Sequence, residues 1–441
     1  MTGYRTASVL EHGAEGARLD LATALGVTPL GRVEGPEFCS GFVTRPDVVA
    51  AGILAVADVA GSRYVDHGQA ARLINLDPVV TASGDRLRFE SMSACSGVHA
   101  RFDLLPEGLG SSRVGFGTTN VDVNHPLRTA LARVDRAVPL HLSVGSGGLR
   151  AATPDATHVE RPVDLPDRWV RGLAEVPSLL ARMQLAGELR GPAVPAFLAA
   201  LPRVAPPGPD LHVVPRPAGW RALGSPVPGT FPLPGASRLR GFDRLARHAT
   251  RLLVHAEPGG STAWVLEVPG GRLTLALTAD AWRGFSGEGQ LLQLLARPEA
   301  AADGERLLGE LGWEPAVDPA ALAAATGMGP ARTAAGLAWL AASGRLGYDL
   351  VEQAWFHRGL PVDAGAVLRR NPRLVSAQAL LDGGAVQATG KGRWRVSSGG
   401  SDYEVLVAPS RLQCSCPWED RHHGSRGPCK HGLAVLLHLY G

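Results

Sequence analysis

Apolar and polar positions alternate with period two through LRFESMSACSGVHARFDL (87–104), on either side of a Ser-Gly turn. That alternation predicts a β-hairpin with one face on a core. HLSVGSGGLRAA (141–152) predicts a second hairpin, turning at Gly147-Gly148. Between them, Asn124-His125-Pro126 opens a helix that runs through LRTALARV (127–134). Residues 179–201 read as helical in two pieces, and RLLVHA, TAWVLEVP and RLTLALTA (251–279) as three strands. A further helix is expected over 286–296. The greasiest run, VVAAGILAVADVA (48–60), is broken by Asp58 and falls short of a bilayer span.

Between 201 and 240 the pattern lapses, and ten of the 34 prolines fall there. So many prolines suit neither helices nor central strands, and predict a semi-rigid linker or a long surface crossover. Segments 167–183 and 280–296 share Asp, Trp, Arg-Gly and a later Leu-Leu. That echo reads either as duplicated hairpin–helix units or as chance likeness between amphipathic stretches. Further on, DPAALAAAT opens with Asp318 at an N-cap and Pro319 at the first helical position. Gly327-Met328-Gly329 makes a turn, 330–344 a second helix, and 346–358 a two-stranded wing. This resembles a winged helix. A helix that reads the major groove needs several Arg, Asn, Gln or Lys side chains, and only Arg332 and Thr333 stand near its start. A packing or protein-docking module is expected instead.

Composition adds limits. The 441 residues are 45% hydrophobic and 19% charged, enough to bury a core, which excludes a wholly disordered chain. The opening MTGYRTASVLEHGAEG carries acids and no apolar stretch, so no secretory signal, no membrane partner and a cytoplasmic location are expected. The net charge of +3 is uneven: from 361 to 441 there are ten Lys/Arg against six Asp/Glu, so the surplus lies at the C-terminal end. That excess is mild beside a nucleic-acid-binding tail.

Cysteine placement says more. Of five cysteines, Cys414, Cys416 and Cys429 fall within sixteen residues, while Cys39 and Cys95 stand alone. An odd, clustered set argues for a metal site rather than a disulfide framework. Cys414-x-Cys416 ends a strand pattern, where alternate residues share a face. Cys429-x-His431 opens a helix that carries Leu433, Leu436, Leu437 and Tyr440 on one stripe. Three thiolates and an imidazole suit one tetrahedral Zn2+, and a filled shell makes it structural. His422 or His423 is the rival for the fourth position. Lys430, Arg421 and Arg426 are placed to offset the negative charge.

A Cys-x-Cys pair, a variable loop, then Cys-x-His at the head of a helix resembles the SWIM-type zinc finger. With GRWRVSS (392–398) and YEVLVA (403–408) upstream, the resemblance implies a ββα layout over roughly 384–441. More loosely, GTTNVDVNHPLRTALARV and WRGFSGEGQ resemble bacterial SWIM proteins found beside MoxR-type AAA+ ATPases and von Willebrand A-type proteins. As a class, SWIM fingers are regarded as binding DNA or protein.

The chain is therefore read as α+β and multi-domain. An N-terminal α+β domain spans 1–200 and a Pro-rich linker or crossover 201–240. A second hairpin–helix unit spans 241–312, a winged-helix-like module 313–360, and the zinc-finger domain 361–441. The function expected is a zinc-stabilised interaction or scaffold protein for protein partners, and for nucleic acid as the alternative. Lys391, Arg393 and Arg395 alternate along a strand and, with Lys430, are the candidate contact residues; Trp394 faces inward. They equally make a solvated face. An enzyme using Cys95, His99 and Asp103 is the remaining alternative. No G-x-x-x-x-G-K-[ST] run is present, so nucleotide hydrolysis by that route is not expected, and no small-molecule substrate is evident.

Overall fold

In the computed structural model, residues 9–440 are described except 14–15, 21–25, 29–30, 34–36, 65–77, 111, 164, 205–209, 217–218, 281–282, 287–288, 290, 361–366, 368–370, 409–410 and 425. Two small hairpins come first, β1 (Val9–Gly13) with β2 (Gly16–Asp20) and β3 (Gly26–Thr28) with β4 (Gly31–Val33). β5 (Glu37–Phe42) and α1 (Pro46–Gly61) lead into a meander of β6 (Val79–Ser83), β7 (Leu87–Met92) and β8 (Val98–Leu104). β9 (Arg113–Val114), β10 (Phe116–Asn120) and α2 (His125–Ala132) precede β11 (His141–Gly145), β12 (Gly148–Ala152) and β13 (Thr157–Glu160). α3 (Asp167–Leu180), β14 (Gln184–Arg190) and α4 (Ala193–Ala200) follow. Next come β15 (Leu211–Val214), β16 (Arg221–Leu223) and β17 (Phe231–Leu233), then a meander of β18 (Arg251–Ala256), β19 (Thr262–Val268) and β20 (Gly271–Leu277).

Among the described residues the largest sheet has eight strands in the order β10-β6-β7-β8-β20-β19-β18-β14. Its alternation works on both faces. Leu87, Phe89, Ala100, Phe102, Leu273 and Leu275 turn to a core shared with α1, where the Phe102 ring fits against Gly52. Each of these leucines and phenylalanines contributes about 1.5–3 kcal/mol on burial. The opposite face carries Arg88, Glu90, His99, Arg101, Asp103 and Arg272, all buried.

What buries them is the helical half. α5 (Leu291–Leu295), α6 (Ala300–Glu310), α7 (Pro319–Thr326) and α8 (Pro330–Ala342) are followed by the hairpin β21 (Leu346–Asp349) and β22 (Ala354–His357). Asp318 caps α7 by accepting from Ala320 N at 2.8 Å, and Gly327 ends it at φ +65°. α8 packs among α3, α5 and α6. Asp349 at the hairpin tip lies 3.3 Å from Arg88 Nη2 and also pairs with Arg272, while Arg358 reaches Glu90 at 3.1 Å. The hairpin thus lies over the charged face of the sheet.

The C-terminal part holds α9 (Pro372–Asp382), β23 (Val386–Gly390), β24 (Arg393–Ser398), β25 (Ser401–Ala408) and β26 (Arg411–Cys414). α10 (Pro417–His422) and α11 (Lys430–Tyr440) complete it. The four strands form a sheet in sequence order, and α11 packs on α9.

The mixed α+β, antiparallel, multi-sheet architecture follows the expectation, and both hairpins form at 87–104 and 141–152. Several expectations are corrected. β8 pairs with β20 from Val98↔Leu277 to Leu104↔Gly271, so one sheet joins 1–200 to 241–312. The described residues of 201–240 are folded on that body rather than strung out as a linker. β15–β17 form a sheet, Trp220, Phe231 and Leu233 enter the core beside Trp264, and Pro232 is accommodated in an edge strand. The two helical pieces expected over 179–201 are interrupted by β14, an edge strand with few apolar positions to announce it. Of the helix expected over 286–296, the described residues show α5, and 287–288 and 290 lie outside them. The implied ββα layout is a four-stranded sheet with helices at both ends.

Candidate metal centre

β25 and β26 pair with Val405 opposite Cys414, which turns Cys414 toward the side that α11 covers. Cys416 leaves the strand and is the N-cap of α10. Pro428 closes the loop, so Cys429 stands just ahead of α11 and His431 lies in its first turn. Cys416, Cys429 and His431 are buried and Cys414 is half-buried. Their donor atoms all lie within 4.8 Å of one another. His431 Nδ1 is 3.7 Å from Cys414 Sγ and 4.0 Å from Cys429 Sγ. A tetrahedral zinc with bonds of about 2.0–2.3 Å holds its ligands roughly 3.5–3.8 Å apart, so this donor set fits the ion.

The thiols are electrostatically uneven. Cys429 is held well below its ordinary value, first by a hydrogen bond from the Cys414 thiol, then by His431 and the Gly432 N–H at 3.3 Å. Cys414, the donor in that bond, is pushed up, and burial pushes Cys416 up. Thiols bind a cation as thiolates, so binding here releases protons.

Three groups absent from the spacing argument hold the site in shape. Tyr403 stacks on His431 with centroids 4.3 Å apart and planes at 18°. Arg373 of α9 donates through Nη1 to the carbonyls of Arg426 (3.0 Å) and Pro428 (2.7 Å). Its guanidinium also lies 4.4 Å above Trp418, while that of Arg426 is 4.9 Å from the same ring. Trp418, two residues past Cys416, is a large aromatic in the loop that could have signalled packing there. Nothing in the sequence pointed to Arg373. Gly427, at φ +69°, is required outright, because a Cβ there would lie 2.0 Å from the Gly289 carbonyl oxygen. That contact presses the metal loop against the segment before α5.

The rival fourth ligands are excluded by position. His422 packs edge-on against Trp418 at 4.5 Å, and His423 ends α10 at φ +45°; neither joins the cluster. Arg393 and Arg395 are exposed on the sheet face away from Val396, with Glu404 paired opposite Arg395. Lys391 is in the β23–β24 turn rather than in the strand. Trp394 is half-buried, its ring 5.0 Å from His438. Lys430 is the first residue of α11.

The possible catalytic trio is not assembled. His99 Nε2 faces Glu90 at 3.2 Å, the Cys95 thiol faces Ser93 at 3.4 Å, and Asp103 is held between Arg101 and Arg272. Among the described residues no helix is long and apolar enough to cross a membrane.

Comparisons agree with this geometry at the C-terminal end. No curated protein matches the chain. Among solved structures, proliferating cellular nuclear antigen from Entamoeba histolytica is similar over 55% of this chain and 98% of its own, at 11% identity and TM-score 0.38. A PCNA2–PCNA3 complex from Sulfolobus tokodaii is similar over 54% and 98%, at 9% identity and TM-score 0.39. Residues 403–440 match the SWIM zinc finger family. The C-terminal unit of this chain is similar to the SWIM zinc finger, and its Cys414, Cys416, Cys429 and His431 form a donor set for one structural zinc.

Proposed function

We propose that the chain is a non-catalytic, cytoplasmic scaffold that docks protein partners through a zinc-folded C-terminal unit. The closed Cys3His set carries this reading. Four protein donors fill a tetrahedral shell and leave no position for a substrate or an activated water. A MoxR-type AAA+ ATPase or a von Willebrand A-type protein is the partner that the family resemblance favours.

The unit around α7, α8 and β21–β22, with its bridge from Val317 to Trp355, is read as winged-helix-like. It serves packing rather than base reading. Thr333 and Ala335–Ala342 of α8 are buried, and Arg332 is engaged by Asp303 at 2.9 Å. A helix so enclosed has no free face for a groove.

Affinity purification of the tagged chain from its host tests this reading, with Cys416→Ser run alongside. A protein that co-purifies with the zinc-loaded chain and is lost with the variant supports docking. Recovery of the chain alone in both cases refutes it. A second reading, nucleic-acid binding, is favoured by Arg393 and Arg395 standing exposed on one face. It requires nuclease-sensitive recovery that Arg393→Glu/Arg395→Glu abolishes.

A further inference from the structure

A cleft of about 1270 Å³ separates the metal unit from the body. It exceeds the roughly 300–1,000 Å³ typical of a small-molecule pocket, which favours an extended ligand. Three separate stretches bring guanidiniums to its walls. Arg182 comes from the end of α3, Arg283 and Arg297 flank α5, and Arg426 belongs to the metal loop. Arg182 is exposed and Arg297 half-buried, its guanidinium 4.8 Å from the Tyr440 ring. Neither makes an ion pair among the described residues.

Carboxylates also reach the cleft, yet two of its three are occupied by backbone amides. Glu175 accepts from Ser286 N at 2.8 Å, and Glu257 accepts from Gly259 N at 2.8 Å and Ser261 N at 3.3 Å. Asp280 is the third. At the metal-loop end the field is positive. His422 resists protonation, first through burial and then through Arg426, Arg421, Arg283 and Arg373. Ser178, also on the cleft wall, is buried, and its Oγ has no hydrogen-bond partner among the described residues.

We propose that this cleft binds a run of phosphates, supplied by a free polyphosphate or by the backbone of a nucleic-acid strand. Guanidiniums spaced along one groove match successive phosphates, because each presents a planar fork to the paired oxygens of one anion. The Ser178 hydroxyl supplies a neutral donor beside them. The inference extends the reading of a binding protein, but on a surface distinct from the Arg393–Arg395 face.

The test titrates zinc-loaded full chain with inorganic tripolyphosphate by calorimetry and with labelled oligothymidine by fluorescence anisotropy. Both are run at about 50 and 200 mM salt, where phosphate contacts weaken steeply. Expected is binding of at least one probe, weakened by added salt and reduced about tenfold or more in Arg182→Glu and in Arg297→Gln. Arg393→Glu/Arg395→Glu binds as the wild type does, and zinc content is unchanged in all variants. Tripolyphosphate binding identifies a free polyphosphate site; oligothymidine binding alone identifies a strand. No binding of either probe overturns the proposal, as does equal affinity in Arg182→Glu and Arg297→Gln, or loss confined to the Arg393→Glu/Arg395→Glu variant. Failure to recover a protein partner refutes the scaffold reading alone and leaves this measurement standing.

Discussion

Arg358 of the β22 end donates to Glu90 of β7 at 3.1 Å, across 268 positions of sequence, with both side chains buried. The same guanidinium donates to the carbonyls of Leu173 and Leu346, at 2.9 and 3.2 Å, and so ties the sheet, α3 and the hairpin together. Breaking a buried pair leaves an uncompensated charge, whereas removing both partners does not. Glu90→Gln and Arg358→Met are each expected to cost about 3–5 kcal/mol, and the double variant clearly less than the sum. Urea unfolding of the four proteins measures the cycle, and strict additivity contradicts the pairing.

The same cluster sets an acid limit. Burial alone raises the Glu90 pKa, but Arg358 and His99 outweigh it and hold the group near 2, against an ordinary 4.5. Asp349 lies below its usual range for the same reason, with Arg101, Arg272 and Arg88 overcoming burial. A depressed carboxylate pKa stabilises the fold above the unfolded value and loses that contribution as pH falls toward the folded one. His255, held near 4 by burial against an ordinary 6.5, begins the decline earlier, because the unfolded chain takes up its proton first. Stability is therefore expected to fall from about pH 6.5 and most steeply between about 4.5 and 2, with Glu90 contributing about 3 kcal/mol. Unfolding midpoints measured across that range check it, and a flat profile contradicts it.

Local chemistry was legible in the sequence, and distant pairing was not. Asn124 caps α2 by accepting from Leu127 N at 3.1 Å, as Asn-His-Pro announced, and the two cysteine pairs meet as their spacing required. The period-two alternation of 87–104 located β7 and β8, but periodicity does not say what covers a polar face. Arg88 and Arg101 lie beneath the Phe356 ring, 4.0 and 5.3 Å from its centroid, and beside the nearby Asp103 they share Asp349, some 250 positions away. The prolines of 201–240 suggested a linker or crossover, and hid the apolar anchors Trp220 and Phe231 set among them.

Serine at Cys414, Cys416 or Cys429 is expected to remove the metal and unfold the β23–β26 unit, since the free energy of zinc binding is folding free energy there. Cysteines outside the cluster provide the control: Cys39→Ser and Cys95→Ser keep one zinc per chain. Elemental analysis gives the stoichiometry, and amide exchange reports Arg393–Ser398 against Val98–Leu104. Retained zinc in all three cluster variants contradicts the ligand set.

Arg373 touches no donor atom, yet it fixes the loop between the ligand pairs by two carbonyl contacts and by stacking on Trp418. Losing an outer support of this kind typically lowers metal affinity about 10–100-fold. Arg373→Ala is expected to behave so in competition with a calibrated chelator, with urea stability of the body unchanged. Arg373→Lys keeps the charge but not the flat fork, so it recovers only part of the loss. Full recovery by lysine shows that charge alone matters.

The approach of α6 to α8 depends on two glycines. A Cβ at Gly336 would lie 2.7 Å from Leu307 Cδ1 and 3.1 Å from Gly304 N, and one at Gly304 would lie 2.6 Å from Trp339 Cδ1. Helix propensity alone favours alanine over glycine by about 1 kcal/mol, so a loosely packed pair gains stability on substitution. Here the backbone of α6 stands in the way, and overpacking of about 1–3 kcal/mol wins. Gly336→Ala is therefore expected to destabilise the chain and to loosen β21–β22 with it, because α8 leads directly into the hairpin that buries Arg88 and Arg101. Gly309→Ala, in the same α6 but with no atom within 4 Å of its Cβ position, is the matched control and is expected to stabilise. Thermal unfolding of the two variants separates the cases, and equal gains in both contradict the close helix contact.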